Sequence, residues 1–355
     1  MRICLIASSR YPIREPFAGG LEAMTHTMVR GLASRGHDVT LFAGPGSDET
    51  LPARVLPLRT FTPSAAALAD RNAPPASWLA DHHAYLGLML SLSRTGADDY
   101  DVIHNHSLHP LPIAMAEAVA VPILTTLHTP PLPLIESAMS FGSERSSFVA
   151  VSAWISRAWS HVVPSSVILN GLDLDAWRQG PGGGPAVWSG RLVPEKAPHH
   201  AMEAAQRAGL PLVLAGPAHD VRYFETEIAP RLGGGITYAG HLTQHELADL
   251  LRGASVTVVT PMWDEPYGLV AAESIACGTP VAGYARGGLP EVVGRDGGFL
   301  VAAGDADALA DAMHAARRLG RDAVRRHAEL TCAVEAMIDA YERLYLASVG
   351  LGEAA

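Results

Sequence analysis

The stretch SVTVVTPMWDEPYGLVAAESIACGTPVAGYA, residues 255–285, contains two short apolar runs separated by a segment of helical length. Pro266 and Gly268 indicate a tight turn after the first run, and a helix is predicted from about Leu269 to Gly278. Near-continuously apolar strands joined by helices are typical of parallel sheets that are covered on both faces. The stretch therefore predicts one strand–helix–strand unit of an α/β fold.

The same alternation extends along nearly the whole chain, on both sides of a Gly/Pro-rich break, RQGPGGGPA at 178–186. Repeated strand–helix units on each side predict two doubly wound, Rossmann-like domains with parallel sheets, joined by a flexible hinge at this break. The strand candidates are residues 2–7, 38–44, 101–106, 121–128, 147–152 and 165–171, and then 187–191, 210–216, 236–240, 255–261, 280–285 and 298–301.

The bulk composition fits a two-domain α/β protein, with 355 residues, 48% of them apolar and 17% charged. The formal charge of −10 at pH 7 argues against general binding to nucleic acid or anionic lipid. Three widely separated cysteines, Cys4, Cys277 and Cys332, predict buried thiols in a reducing compartment. No apolar run reaches the length of a membrane span and the N-terminal run is too short for a signal peptide. We therefore expect a cytoplasmic protein without a transmembrane segment.

Two helix starts are candidate phosphate sites, because ligands of doubly wound sheets bind beyond the carboxyl ends of the strands. Gly19 and Gly20 precede a helix that follows the first strand, and Gly268, Leu269 and Val270 open the helix of the first quoted stretch. The unpaired N–H groups at a helix start suit an anion. The Gly pair is not a GxGxxG fingerprint, and such pairs also begin helices that bind no ligand.

Two glutamates, Glu265 and Glu273, flank this second helix start with seven residues between them. Glu265 stands just before the turn, where its carboxylate can accept two hydrogen bonds from ligand hydroxyls. Glu273 lies one turn into the helix, where the helix dipole alone would favour a carboxylate. A purely structural role is therefore the alternative for Glu273.

Lys196, in SGRLVPEKAPHH at 189–200, is the only lysine of the chain, whose Lys and Arg residues number 26 together. A coding bias against lysine could leave one survivor by chance. The alternative is that this position needs a flexible point charge, which the rigid guanidinium of arginine does not provide. Arg191 lies five residues earlier and would supply the planar fork beside it.

These motifs resemble those of the retaining glycosyltransferases of the GT-B fold, especially the family numbered four. DEPYGLVAAESIACGTPVAGYARGGLPEVV at 264–293 is similar to the family's E-x7-E signature, and GRLVPEKAP at 190–198 to its G-R-x-x-x-x-K element. The segment 9–43 resembles its N-terminal glycine loop, helix and second strand. DVIHNHS, ILTTLHT and VILNGLDLDAW follow in the family's order, so the resemblance covers nearly the whole chain.

The resemblance implies two Rossmann-like domains that face each other across a cleft. It implies an N-terminal acceptor-binding domain at 1–171, completed by a C-terminal crossover helix at 332–355, and a donor-binding domain at 172–331. The segment 59–100 contains a plausible helix, WLADHHAYLGLMLSLSR. We favour a surface helical insertion there, with an acceptor-side lid as the functional alternative.

The resemblance also implies metal-independent transfer of a sugar from a nucleotide-diphosphate-sugar, UDP before GDP, to a hydroxyl of a small-molecule or saccharide acceptor. No cofactor is expected besides that donor. Carried over by position, Arg191 and Lys196 would grip the diphosphate and Glu265 would hold the donor sugar. His128 would lie beside the reacting sugar. The remaining implied contacts are Glu273 to the ribose, Leu242 to the base through its backbone, the backbone of Tyr267 and Gly268 to the sugar, the Leu269 and Val270 amides to the distal phosphate, and Gly19 and Gly20 from the other domain.

Three other patterns are weaker alternatives. DLD at 173–175 resembles a metal-binding DxD, but we predict a solvated turn and no metal. HNHSLH at 104–109 could form a zinc cluster, but strand alternation is expected to split these histidines between faces. Structural or acceptor-facing histidines are the favoured interpretation. Ser152 and Arg157 are possible acceptor contacts, with a surface charge as the alternative for Arg157.

Two rival functions differ in class from sugar transfer to an acceptor. One is a sugar phosphorylase or epimerase, with pyridoxal phosphate on Lys196 in the phosphorylase. The other is a non-catalytic nucleotide-sugar-binding protein, which we would expect to lack Arg191, Lys196 or Glu265, although all are present. The first domain has no lysine and no obvious aromatic platform, so the acceptor is not identified. No carboxylate of the N-terminal motifs is expected to face the anomeric carbon.

Overall fold

The protein, in a computed structural model that describes residues 1–350, contains two parallel β-sheets. The first has seven strands in the order β3-β2-β1-β4-β5-β6-β7, and the second has six in the order β10-β9-β8-β11-β12-β13. The strands are β1 (Arg2–Ile6), β2 (Asp38–Phe42), β3 (Arg54–Leu56), β4 (Val102–Asn105), β5 (Ile123–Leu127), β6 (Ser146–Ala150), β7 (Ser166–Val167), β8 (Ala186–Ser189), β9 (Leu212–Ala215), β10 (Ile236–Tyr238), β11 (Val256–Val259), β12 (Val281–Tyr284) and β13 (Gly298–Val301).

All twelve predicted strands are present, so the doubly wound fold class is confirmed. The additional strand, β3, pairs with β2 at the edge of the first sheet. It has only three residues, two of them exposed, and so lacks the apolar run that identifies a buried strand.

Helices connect the strands and cover both sheets. They are α1 (Gly20–Ser34), α2 (Ala65–Leu68), α3 (Ala76–Asp99), α4 (Leu111–Ala114), α5 (Pro133–Met139), α6 (Ala153–Trp159), α7 (Pro198–Ala208), α8 (Val221–Tyr223), α9 (Gln244–Gly253), α10 (Leu269–Ala276), α11 (Leu289–Val293), α12 (Ala306–Ala316), α13 (Arg321–Thr331) and α14 (Val334–Ser348), with 3₁₀ turns at Ala116–Ala118, Pro194–Lys196 and Ala229–Arg231 and a π turn at Phe224–Ile228.

Helix α3 is part of the core of the first domain, so the prediction of a surface insertion is wrong for this segment. Its residues Tyr85, Leu88 and Met89 are buried in one cluster with Ile6 and Ile103 of the first sheet. The apolar positions recur every three to four residues, which places them on one face of the helix. Residues 59–80, which include α2 and the start of α3, contain no buried residue, so the surface prediction is wrong only for residues 81–100.

The chain crosses between the domains twice, at adjacent points. Leu172 and Ala333 form a parallel bridge, with the Leu172 N–H 2.7 Å from the Cys332 carbonyl oxygen. Helix α14 then returns to the first domain and packs on α1, burying Tyr341 and Tyr345 in its core. The predicted crossover helix is thereby confirmed. The last five residues of its predicted range, 351–355, lie outside the described residues.

The Gly/Pro-rich segment 178–186 is bound to the second domain, so the prediction of a flexible hinge at this place is wrong. The Gly182 and Gly184 N–H groups donate to the Arg252 and Gly253 carbonyls at 3.0 and 2.9 Å. The Arg321 guanidinium donates to four carbonyls, including those of Gly180 and Arg252. Composition indicated a loop, but it could not show that the rest of the domain supplies partners for the loop's backbone.

Other predictions from composition were tested by the structure. Cys4, Cys277 and Cys332 are all buried free thiols, as predicted. Among the helices of residues 1–350, none combines the length and the apolar character that a membrane crossing requires.

Candidate active site

A cavity of about 700 Å³ lies between the two domains, at the carboxyl ends of strands from both sheets. We call the lining residues from positions 8–151 the first-domain wall and those from 188–273 the second-domain wall. All twelve site residues predicted from the sequence line this cavity. They are Gly19, Gly20, His128, Arg191, Lys196, Leu242, Glu265, Tyr267, Gly268, Leu269, Val270 and Glu273.

Lys196 reaches the cavity from a strained turn that the second sheet holds in place. The next residue, Ala197, has a φ of 44°, a left-handed conformation that is uncommon for a residue with a side chain. The hydroxyl of Thr260 lies 3.0 Å from the Lys196 carbonyl oxygen and 2.9 Å from that of Ala197. The Trp188 indole N–H donates to the same hydroxyl at 3.0 Å. These contacts fix the only lysine of the chain at one point of the cavity wall.

Lys196 and Glu265 form an ion pair, although 69 residues separate them in sequence. The Trp263 indole N–H donates to the same carboxylate oxygen at 3.1 Å, and the ammonium group lies 5.0 Å from the centre of the Trp263 ring. Both charged side chains are mostly buried, at 22% and 14% exposure. The cation and the anion that the sequence assigned to different parts of one ligand therefore hold each other in position.

Two helices begin at the cavity and approach each other across it. Helix α10 starts after Gly268, whose φ of 100° and close contact with Leu289 exclude a side chain, since an added Cβ would lie 2.4 Å from a Leu289 methyl carbon. A Cβ on Gly20, the first residue of α1, would lie 2.9 Å from a methyl carbon of Leu269. The unpaired N–H groups of both helix starts thus face the same space, where they can bind phosphate oxygens.

Glu273 is only 7% exposed, and burial raises its pKa to about 7. The sequence offered stabilisation of the carboxylate by the helix dipole as the structural alternative. That effect is small here, because Glu273 is the fifth residue of α10 and lies beyond the first turn, where the influence of the dipole has fallen off. A buried, easily protonated carboxyl in the wall is instead suited to bind ligand hydroxyls, because it can accept or donate a hydrogen bond.

Glu22, in the first turn of α1, is a carboxylate of the first-domain wall that the sequence analysis missed. The expectation that no carboxylate of the N-terminal motifs faces the anomeric carbon stays a prediction, and Glu22 is the residue on which it has to be tested. Burial raises the pKa of Glu22, and the nearby charge of Arg191 opposes part of that rise. Arg191 itself is 45% exposed and lies 3.8 Å from Glu195. The position of Glu22 immediately after the Gly pair was the available signal.

His128, at the end of β5, is held by a second histidine behind it. The Nε2 of His128 lies 3.0 Å from the Nδ1 of His106, whose own Nε2 is buried and has no hydrogen-bond partner within the described chain. Burial lowers the pKa of His128 to about 4 and that of His106 well below its usual value. Both imidazoles are therefore neutral near pH 7, so His128 can stabilise positive charge in a bound sugar without repelling it.

His104 and His106 lie on the same face of the first sheet, with ring centroids 3.9 Å apart, so the predicted split between faces is wrong. Residues two apart in a strand point to the same side, and only the intervening Asn105 points away. His104 contacts the Tyr345 hydroxyl at 2.6 Å and the Thr126 hydroxyl at 2.7 Å, which assigns it a structural role beneath α14.

The DLD segment forms an exposed turn, as predicted, in which Asp173 accepts a hydrogen bond from the Asp175 N–H at 2.9 Å. Searching residues 1–350 for three or more His, Cys, Asp or Glu side chains arranged around a common metal position finds no such group. The HNHSLH histidines are accordingly not gathered as metal ligands.

Ser152 and Arg157 join the domains and do not line the cavity, so their proposed role as acceptor contacts is wrong. The Ser152 hydroxyl donates to the Pro266 carbonyl at 2.7 Å across the domain boundary. The carboxylate of Glu291, from the second domain, accepts hydrogen bonds from the first N–H groups of α6 and lies 3.8 Å from the Arg157 guanidinium.

The first-domain wall contains aromatic side chains, which corrects the expectation that this domain has no aromatic platform. Tyr11, Phe17, Trp78 and Tyr85 all line the cavity. They come from two segments more than fifty residues apart, and only the folding of α3 against the first sheet brings them together. No short motif could have revealed this arrangement.

Two family models match the chain and together span most of it. Residues 18–176 match the model described as Glycosyltransferase Family 4, and residues 185–326 match the model described as Glycosyl transferases group 1. The break between the two matches falls in the segment that connects the two sheets.

Individual proteins resemble the chain over most of its length. A glycogen synthase of Mycobacterium tuberculosis is 30% identical over 346 residues, covering 82% of this chain and 80% of that protein. A D-inositol 3-phosphate glycosyltransferase of Mycobacterium avium is 28% identical over 362 residues, covering 88% and 84%. Among solved structures, the Anabaena protein HepE in complex with UDP-glucose has a TM-score of 0.74 at 18% identity, covering 98% of this chain and 100% of that one.

Proposed function

Because this chain belongs to the family 4 glycosyltransferases of group 1 and is a nucleotide-sugar-dependent hexosyltransferase of the GT-B fold, we propose the details of its reaction. It transfers a hexose from a UDP-sugar to a hydroxyl of a small-molecule or saccharide acceptor. The anomeric configuration is retained, and no divalent metal and no further cofactor take part. The observation that carries the proposal is the meeting of Arg191, Lys196 and two helix starts at one cavity.

The second-domain wall fits a nucleotide diphosphate. As the glycosidic bond breaks, negative charge accumulates on the leaving diphosphate, and prepositioned positive groups stabilise that charge. Lys196 provides a movable ammonium, Arg191 a planar fork, and the start of α10 backbone N–H groups. Donor binding would separate Lys196 from Glu265, leaving the ammonium on the phosphates and the carboxylate on the sugar hydroxyls.

UDP is the nucleotide of choice in this proposal because UDP-glucose is bound in the structurally similar HepE. The test is a thermal-shift series with UDP, GDP and ADP sugars at equal concentrations. We expect the UDP-sugars to stabilise the protein most, since at equal concentration the ligand with the lowest Kd for the folded state gives the largest stabilisation, which grows with the logarithm of concentration over Kd. Stronger stabilisation by GDP- or ADP-sugars would contradict the choice of nucleotide and leave the enzyme class intact.

Fixed positive groups would take the place of a metal at the diphosphate. Turnover should therefore be unchanged after exhaustive chelation with EDTA, measured by release of UDP from the donor. Loss of turnover on chelation, restored by manganese, would contradict this part of the proposal.

Retention without a protein nucleophile requires the departing phosphate to accept the acceptor's proton while Arg191 and Lys196 hold it. In the alternative mechanism, the carboxylate of Glu22 in the first-domain wall would attack the anomeric carbon and form a covalent adduct with the sugar. The anomeric coupling constant of the first-formed product, read by proton NMR, should match that of the donor. The variant Glu22→Gln should keep most of the turnover; a loss of orders of magnitude would identify Glu22 as the nucleophile.

A further inference from the structure

The first-domain wall carries an aromatic surface that the donor does not need. Trp78 stacks on His82, with ring centroids 4.9 Å apart and planes 7° apart, and Tyr85 stacks on His109 at 4.3 Å and 14°. His82 and His109 connect the two pairs at 5.9 Å. We call these four residues the aromatic ledge.

One end of the ledge is open to the cavity. Trp78 lines the cavity and is 37% exposed, and its indole N–H has no acceptor anywhere in residues 1–350. Three exposed apolar side chains, Tyr11, Leu108 and Leu134, also line the cavity from the first-domain wall. A cluster of exposed aromatic and aliphatic groups in a cleft marks a surface that a ligand covers.

Within the described residues, the first-domain wall offers no free positive charge. Arg10 is the only Lys or Arg that the described part of the first domain contributes to the wall, and its guanidinium pairs with Asp81. The second oxygen of Asp81 accepts a hydrogen bond from the Ser9 hydroxyl at 2.7 Å. Burial, with the neighbouring His82, lowers the pKa of His109 to about 4, so that ring is neutral near pH 7. A phosphate or carboxylate placed here would lose its hydration without gaining a counter-charge.

We propose that the aromatic ledge binds the acceptor, and that the acceptor is an uncharged molecule whose ring lays an apolar face on Trp78, as a glycoside does. The proposal rests on the proposed function, since it names the acceptor class of that same cavity. The acceptor's hydroxyl faces the donor sugar beside His128. Ser8 and the Trp78 indole N–H, which also line the cavity, would hydrogen-bond to the acceptor's other hydroxyls.

The experiment compares 4-nitrophenyl glucoside, methyl glucoside and 4-nitrophenyl glucoside 6-phosphate as acceptors, with UDP-glucose as donor. We expect the wild-type enzyme to use the uncharged glycosides and to discriminate against the phosphorylated one. If the aryl glycoside alone depends on Trp78, the aryl ring occupies the ledge; if both glycosides do, the sugar ring occupies it. Preference for the 6-phosphate would overturn the proposal.

Two matched variants test the ledge itself. Trp78→Ala should raise the KM for the uncharged acceptor about tenfold, the effect typical of an aromatic anchor at a binding surface. It should leave unchanged the Kd for UDP, which the second-domain wall binds. Phe61 is the control, because it stacks on His83 as Trp78 stacks on His82 and is exposed, but does not line the cavity. An equal effect of Trp78→Ala and Phe61→Ala on the acceptor KM would contradict the proposal.

A third variant tests the charge argument by a gain of activity. Asp81→Asn removes the counter-charge of Arg10 and should raise kcat/KM for the phosphorylated glycoside relative to the uncharged one, with the melting temperature reporting on folding. Binding of UDP-glucose without transfer to any of the three acceptors would refute the ledge proposal and leave the proposed function standing. Failure to bind any nucleotide sugar would instead refute the proposed function.

Discussion

The two walls of the cleft are built in different ways. The second-domain wall presents backbone N–H groups, the glycine Gly268 that leaves no room for a side chain, and a lysine–glutamate pair, drawn mostly from two contiguous segments, 189–200 and 259–273. The first-domain wall presents aromatic and imidazole side chains from α3 and from the ends of three strands. A diphosphate demands fixed positive groups, whereas a surface for an acceptor needs only shape and polarity. The need for fixed positive groups produces a recognisable sequence motif, whereas the need for shape and polarity does not.

The largest effect expected on the second-domain wall is that of Lys196→Ala. Loss of one charge-stabilising group at a developing anion lowers kcat by about 10²–10³. Lys196→Arg should recover only part of the loss, because the guanidinium cannot follow the phosphate oxygen as a flexible ammonium can. The measurement is UDP release under saturating donor. Near-normal turnover of the alanine variant would indicate that Lys196 is a chance survivor of the coding bias. The second-domain wall would then not depend on this charge, and the two walls would not differ in this respect.

A second effect concerns Glu273 and is a stability effect that depends on pH. Burial raises the pKa of Glu273 to about 7, above its value in the unfolded chain. The folded protein therefore keeps the proton where the unfolded chain has lost it, so stability falls as pH rises between the unfolded value and about 7. The loss reaches at most about 3 kcal/mol, at ~1.4 kcal/mol per pKa unit.

The variant Glu273→Gln removes this penalty, because its neutral amide does not ionise. Its melting temperature should exceed that of the wild type at pH 8 by more than at pH 5. In the same variant, UDP should bind more weakly if the carboxyl holds the ribose. If the melting temperatures of the two proteins differ by the same amount at pH 5 and at pH 8, Glu273 does not titrate as described.

The smallest of the expected effects lies on the first-domain wall. His106→Phe keeps a ring beneath His128 but removes the hydrogen bond that orients it, a contact worth about 1 kcal/mol, or roughly a fivefold loss in kcat. The matched control is His104→Phe, which loses bonds to Tyr345 and Thr126 and should lower the melting temperature with kcat unchanged. An equal loss of kcat in both variants would indicate general destabilisation rather than positioning.

The success of the predictions from sequence also differs between the second-domain wall and the first-domain wall. Every strand of the second sheet was predicted from a short apolar run, and the cavity residues of the second domain were predicted from motifs whose spacing reflects one turn and one helix start. Glu22, three residues after Gly19, was overlooked because nothing local shows which way a first-turn side chain points. Trp78 and His109 meet only through tertiary packing, and no local pattern encodes that contact.

The errors in the fold have a common physical cause. Segment 178–186 looked flexible because of its glycines. In the structure, however, the distant Arg321 donates a hydrogen bond to the carbonyl oxygen of Gly180 in this segment. Helix α3 looked like an insertion because segment 59–100 is less regular than the strand–helix units around it, yet the apolar face of the helix completes the layer behind β1 and β4. In both cases the residues that hold the segment in place belong to a distant part of the chain or to another element. Only the three-dimensional arrangement shows that they contact the segment.

The return of α14 to the first domain also fixes the order in which the protein is completed during synthesis. Met337, Ile338, Tyr341 and Tyr345 fill the core behind α1, so the first domain lacks part of its interior until the whole second domain has been translated. At ~5–20 residues per second that interval is on the order of ten seconds. During it, the emerging first domain exposes the apolar groove that α14 later fills, and a chain released before residue 334 lacks the helix that covers it. Residues 334–348 therefore close the core of the first domain only after the second domain has been synthesised.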